Sequence, residues 1–158
     1  MAVTNSPSNK LKHLLQQVTT DYPDISFSES EKSFWDSKNK TIFYNPTSDH
    51  ADWSLLHEIG HMVNQDISYK LDVQLLIMES KAWQRAVKIG KKYGTVIEQD
   101  YIEDCLDSYR DWLHKRSTCP ECKQTGIQDN HGIYNCVNCG DSWKVSISRF
   151  CRSYRRKI

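Results

Sequence analysis

The sequence predicts an α+β fold: an N-terminal helix, a small sheet containing antiparallel strands, three further helices, and a small C-terminal β module. Three observations carry that expectation. Apolar residues recur every three or four positions along four stretches. Runs rich in β-formers flank a short turn sequence at 37–39. Two Cys-x-x-Cys pairs, Cys119/Cys122 and Cys136/Cys139, stand thirteen residues apart near the end of the chain.

Taken in order, Ser8 is placed to cap a helix whose apolar positions are Leu11, Leu14, Leu15 and Val18. Asp21-Tyr22-Pro23-Asp24 ends it, and Ile25-Ser26-Phe27 alternates as a short strand. Residues 32–36 and 40–44 flank Ser37-Lys38-Asn39 as a hairpin, with Thr41-Ile42-Phe43-Tyr44 its best strand. Asn45-Pro46 closes it, and Asp49 or Asp52 is placed to cap the strongly apolar helix that follows. A long helix over roughly 70–92 carries a stripe of Leu71, Leu75, Met78, Ala82, Ala86 and Ile89, widened by Leu76 and Trp83. Gly90 and Gly94 mark its end. The last helix, roughly 97–115, is apolar at Tyr101, Ile102, Cys105, Leu106, Tyr109, Trp112 and Leu113, an ordinary core pattern in which Cys105 is a small buried hydrophobe. Composition changes at Arg116-Ser117-Thr118. The expected organisation is a main domain over 8–116, a cysteine module over 117–148 and a basic tail over 149–158.

With 158 residues the chain can build one domain with a real core plus a small appendage. Its net charge of +1 implies no partner, but the charge is uneven. Residues 116–158 carry eight Lys/Arg against three Asp/Glu, while residues 1–115 carry thirteen against seventeen. The basic end suits a polyanion or is simply a solvated terminus. No run of eighteen apolar residues exists, so no membrane span is expected. Met1 to Asn9 is polar and lacks an apolar signal core, which points to a cytoplasmic protein. Six cysteines in that setting point to metal rather than to disulfides.

The chemistry centres on His57-Glu58-x-x-His61. On a helix, residues four apart share a face, so the two imidazoles can grip one zinc ion. Glu58 lies beside them, placed to take a proton from a water that the metal polarises. The competing reading is a pair of core histidines satisfied by backbone groups. A catalytic zinc usually takes three protein ligands and keeps a fourth position for water. Glu79 is the candidate third ligand. It sits inside an apolar stripe, with Leu75 four before and Trp83 four after, and a carboxylate there is costly unless paired or metal-bound. The alternative places it at the edge of the stripe, near solvent. Asp66, five residues past His61, reads as a cap or turn residue.

The cysteine pairs predict a closed zinc site of four thiolates, from Cys119, Cys122, Cys136 and Cys139, which is structural because no position stays open. Gly126-Ile127 and Gly132-Ile133-Tyr134 suggest a hairpin between the pairs, and Trp143-Lys144-Val145 a third strand, as in a zinc ribbon. Two disulfides are the alternative. Lys144, Arg149, Arg152, Arg155 and Arg156, with Tyr134 and Trp143, make nucleic-acid contact conceivable.

His57-Glu58-x-x-His61 followed by a helix bearing Glu79-Ser80-Lys81-Ala82 resembles the gluzincin metallopeptidases, above all the compact ImmA/IrrE-like branch. The resemblance spans roughly residues 8–115. It implies a zincin-like domain with a catalytic zinc on His57, His61 and Glu79, Glu58 as general base, and endopeptidase activity on a protein substrate, in that branch often a DNA-bound repressor. The added cysteine module is similar to that of the SprT/Spartan-like proteases, which act on proteins at DNA. The histidine that usually follows their motif is absent here, as is the metzincin pattern. Tyr44, Tyr69 and His50 are candidates for a second group stabilising the oxyanion. Strand 41–44 is a candidate edge for an extended substrate.

Overall fold

Capping and burial set the first helix of the computed structural model, which describes residues 8–146 and 155–158. Helix α1 (Asn9–Asp21) starts where the Ser8 hydroxyl accepts from the Leu11 amide at 3.2 Å. Its face of Leu11, Leu14 and Val18 is buried. Three short strands follow: β1 (Ser26–Glu29), β2 (Phe34–Asp36) and β3 (Thr41–Tyr44). The hairpin is present, with Trp35 opposite Ile42. But β3 is the middle strand: β2 pairs with it antiparallel and β1 pairs with it parallel, Phe27 opposite Ile42. Strand 41–44 therefore has no free edge to offer a peptide, contrary to the expectation above.

Helix α2 (Ala51–Asn64) touches α1, β2 and β3. Leu55, Leu56 and Ile59 are fully buried, each worth roughly 1.5–3 kcal/mol relative to exposure. A helix apolar on nearly all sides belongs inside, so its polar residues must find partners there. Neither Asp49 nor Asp52 caps it. The cap position is His50, in the left-handed region (φ 56°) with no side-chain cap bond, while Asp52 lies in the first turn, where a negative charge suits the helix dipole. His50 stacks instead on Trp53, ring centroids 4.1 Å apart.

Helix α3 (Asp72–Lys92) ends in a turn closed by the Thr95 amide on the Gly90 carbonyl at 2.9 Å, with Gly94 left-handed (φ 69°), where glycine has no Cβ penalty. Helix α4 (Gln99–Ser117) buries Ile102 and Leu106, whereas Cys105 is only half-buried. Four antiparallel strands complete the chain in sequence order: β4 (Gly126–Gln128), β5 (Tyr134–Cys136), β6 (Ser142–Val145) and β7 (Arg155–Lys157). The last was not expected: three consecutive basic residues show no alternation, and the sequence reads as a tail.

By its internal contacts the chain groups into two units, Met1–Ile67 with Met78–Glu98, and Ser68–Ile77 with Gln99–Ile158. The first buries residues of α1, α2, β3 and the later part of α3, including Ile42, Leu56, Ala82 and Ala86. The second is built on Trp143 and Tyr134, stacked with centroids 5.5 Å apart, and Trp143 Nε1 donates to the Arg116 carbonyl at 2.9 Å. A bidentate pair of Arg116 on Asp72, at 2.7 and 3.1 Å, lies inside this unit. The Tyr134 hydroxyl also donates to Asp72, at 2.7 Å. A buried ion pair holds only when its remaining lone pairs are satisfied in this way.

Candidate metal centres

His57 and His61 leave the same face of α2, as their spacing requires. Glu79 reaches them from α3 because the two helices approach closely at Gly60. A Cβ there would collide with the backbone carbonyl of Ala82, so only glycine permits the crossing. Ala82 lies three residues after Glu79, which puts the carboxylate one turn along, opposite the imidazoles. Arg85 Nε donates to Asn64 Oδ1 at 3.1 Å and ties the same two helices together.

The resulting cluster is tight. His57 Nε2 lies 3.0 Å from Glu79 Oε2, His61 Nε2 lies 3.5 Å from the same oxygen, and the two Nε2 atoms are 3.1 Å apart. An ion bound tetrahedrally at about 2.0–2.1 Å from nitrogen and oxygen requires donors roughly 3.3 Å apart. The fit is close, and two imidazoles with one carboxylate are the donor set of a site with one open position. His57 and Glu79 are 8% and 5% exposed, so water does little to separate these donors.

The electrostatics follow from that burial. For Glu79, burial opposes ionisation, but hydrogen bonds from both imidazoles overcome it and hold the carboxyl well below its usual range. For His61, burial opposes the charged form, yet the bonds to Glu79 and Asp66 and the nearby Glu58 charge raise it to about 9. Glu58, next on the helix and 8% exposed, is pushed up chiefly by burial and also by Glu79; the histidines and the Trp35 backbone amide pull the other way. Trp35 lies in β2, which places that strand beside the Glu58 carboxyl. The His57 ring stacks on Trp83 (centroids 4.1 Å), and its Nδ1 is buried with no hydrogen-bond partner.

A second cluster lies in the C-terminal strands. The sulfurs of Cys119 and Cys139 are 3.7 Å apart, and those of Cys122 and Cys136 3.4 Å. These distances exclude disulfides, which need roughly 2.05 Å. They approach the roughly 3.8 Å between thiolates around one tetrahedral ion. The two knuckles share a backbone pattern: Cys119 N donates to Gln124 O and Cys136 N to Asp141 O, both at 2.8 Å, and Lys123 and Gly140 take positive φ four residues after each first cysteine. The Gln124 backbone amide draws the Cys122 thiol down to about 6. Cys139, despite the Asp141 amide, is pushed up to about 12 by burial and the surrounding sulfurs. Four thiolates this close would repel one another, so all four ionise together only around a cation.

Among the described residues these are the two groups of donors that could hold a metal ion: His57, His61 and Glu79, and the four cysteines. No family model, curated protein or solved structure matches the chain. No helix among the described residues is long and apolar enough to cross a membrane.

The remaining sequence candidates fare unevenly. Tyr44 is buried in the middle strand, and its hydroxyl is pushed up by burial and by the nearby Glu29 charge. Tyr69 falls in the unit that carries the cysteines, where with Lys70 and Lys144 it lines a cleft of about 380 Å³. Arg155 and Arg156 are placed by backbone in β7, with Arg156 across from Lys144. Arg149 and Arg152 lie outside the described residues, as does Cys151, the cysteine left over from the two pairs and Cys105. Sequence reasoning missed the contact of Asp66 with the cluster: its Oδ2 lies 2.9 Å from His61 Nδ1. It also missed the stacking of Trp83 on the His57 ring, since Trp83 reads as part of an ordinary apolar stripe.

Proposed function

We propose that the protein is a zinc-dependent endopeptidase, in the manner of the compact gluzincins, with His57, His61 and Glu79 holding a catalytic zinc and the four cysteines a structural one. The observation that carries this reading is a buried Glu58 carboxylate next to the buried cluster of His57, His61 and Glu79. A zinc ion there supplies Lewis acidity toward the scissile carbonyl and the attacking water. Glu58 does the proton work: it accepts a proton from that water and returns it to the leaving amine. Burial raises its proton affinity, the direction that suits a base. Trp83 stacks on the His57 ring, so that donor is oriented in advance.

The test is cleavage of an unfolded, labelled protein such as casein by zinc-loaded protein. Glu58→Gln is expected to keep both metal ions and lose roughly a hundredfold or more in rate. Equal turnover by variant and parent would remove Glu58 from the mechanism. A parent that holds two zinc ions and cleaves nothing, itself included, would instead be a non-catalytic zinc-binding adaptor.

A second reading narrows the substrate to proteins on DNA, either a DNA-bound regulator or the broader range of the SprT-like proteases. Its support is Lys144, exposed, across from Arg156 in the β6–β7 register, and lining a cleft with Lys70 and His131. The lysines and arginine among these gain affinity for phosphates by releasing counterions. Cleavage stimulated by single- or double-stranded DNA, fading as salt rises, would support it. Indifference to DNA would make the basic end a solvated one.

A further inference from the structure

We infer that Asp66 is a positioning residue for the proposed metal site: it fixes the orientation and tautomer of ligand His61, through a helix-ending turn that directs it there. The inference rests on the metal-site reading above. Helix α2 ends in a reversal of defined geometry. Gln65 takes the left-handed conformation (φ 59°, ψ 36°), its amide donates to the Met62 carbonyl at 3.1 Å, and the Asp66 amide donates to the His61 carbonyl at 3.1 Å. This is a Schellman turn with a glutamine where glycine is usual. The turn folds Asp66 back over the last turn of α2, so that one residue contacts His61 twice. Its backbone amide binds the His61 carbonyl, and its Oδ2 lies 2.9 Å from His61 Nδ1.

The side-chain contact has a chemical consequence. A carboxylate accepts and does not donate, so His61 must present its Nδ1–H to Asp66. In the neutral ring that coordination requires, the lone pair then falls on Nε2, the atom 3.1 Å from His57 Nε2 and 3.5 Å from Glu79 Oε2. The contact is shielded, with the two side chains 12% and 17% exposed. A carboxylate behind a ligating histidine orients the ring and raises its basicity, and removing such partners typically lowers metal affinity ten- to a hundredfold. His57 is held differently. Its Nδ1 is buried with no hydrogen-bond partner, and its ring lies against Trp83. The pair is therefore asymmetric, with His61 as the anchored ligand.

The experiment uses the full chain and reads the dissociation constant of the second equivalent of zinc by competition with a chromophoric chelator, after the cysteine site is filled. Parent, Asp66→Ala, Asp66→Glu, Gln65→Gly and His57→Ala are compared, and each metal-free form is also melted. Asp66→Ala is expected to raise that constant ten- to a hundredfold. Its cobalt-substituted form should show altered ligand-field bands, while Gln65→Gly, which keeps the turn and the carboxylate, stays within about twofold of the parent. Partial recovery in Asp66→Glu would support the carboxylate as the active element. A metal-free melting point that falls in Asp66→Ala while its zinc constant stays at the parent value would overturn the inference and leave Asp66 a helix-ending residue. If the parent itself takes up a single equivalent, as His57→Ala is expected to do, the metal-site reading fails, and that outcome is distinct from failure of Asp66 alone.

Discussion

His61 contacts Glu79, Asp66 and His57 at once, and the balance among them sets its proton. Burial alone would favour the neutral ring; the hydrogen bonds to Glu79 and Asp66 and the Glu58 charge reverse this and raise it to about 9. The metal-free protein thus keeps His61 charged at pH 7.5, while coordination requires a bare nitrogen. Zinc uptake at pH 7.5 should therefore release about one proton from this residue, and affinity should keep rising with pH toward about 9. The linked stability has the opposite sense. A raised folded-state value stabilises the metal-free protein below the unfolded value near 6.5, and that contribution is lost as pH rises through about 9. Calorimetry of zinc binding in buffers of different ionisation enthalpy counts the proton, and release of none at pH 7.5 would contradict this electrostatic picture. At this scale Glu79 is legible in the sequence, because a carboxylate among Leu75, Ala82 and Trp83 demands a partner. Asp66 is not, because its role depends on a left-handed turn at Gln65, a residue that carries no turn signal.

The turns that end α2 and α3 show the same contrast between elements. Both close with the same pair of backbone bonds, but α3 has Gly94 at the left-handed position and α2 has Gln65. The first end is readable and the second is not. The hairpin of β2 and β3 is likewise local and readable, whereas the parallel pairing of β1 with β3 is a longer-range choice that no nearby residue announces. The α2–α3 crossing depends on a single glycine between the two histidines. Gly60→Ala would drive a methyl into the Ala82 carbonyl and force the helices apart. Overpacking of this kind costs about 1–3 kcal/mol. The expected result is a lower melting point in chelator and loss of the second zinc equivalent, because Glu79 is carried away with α3. A Gly60→Ala protein with parental melting point and metal content would show that the approach is not needed to assemble the cluster.

On the scale of the whole chain, two units each carry one donor cluster: His57, His61 and Glu79 in the first, the four cysteines in the second. The cysteine spacing is the strongest signal in the sequence, since it fixes both the knuckles and the donor set, and the structure brings all four sulfurs together. The fourth strand of that sheet was hidden because Arg155, Arg156 and Lys157 read as a solvated tail. The two clusters differ in the chemistry their donors allow. Four thiolates close a tetrahedron, whereas two imidazoles and one carboxylate leave a position for water beside Glu58. The most direct measurement is therefore the zinc content per chain of the parent, His57→Ala and Glu79→Ala proteins after dialysis. The account predicts about two equivalents in the parent and about one in each variant. A Glu79→Ala protein that still retains two equivalents would contradict it.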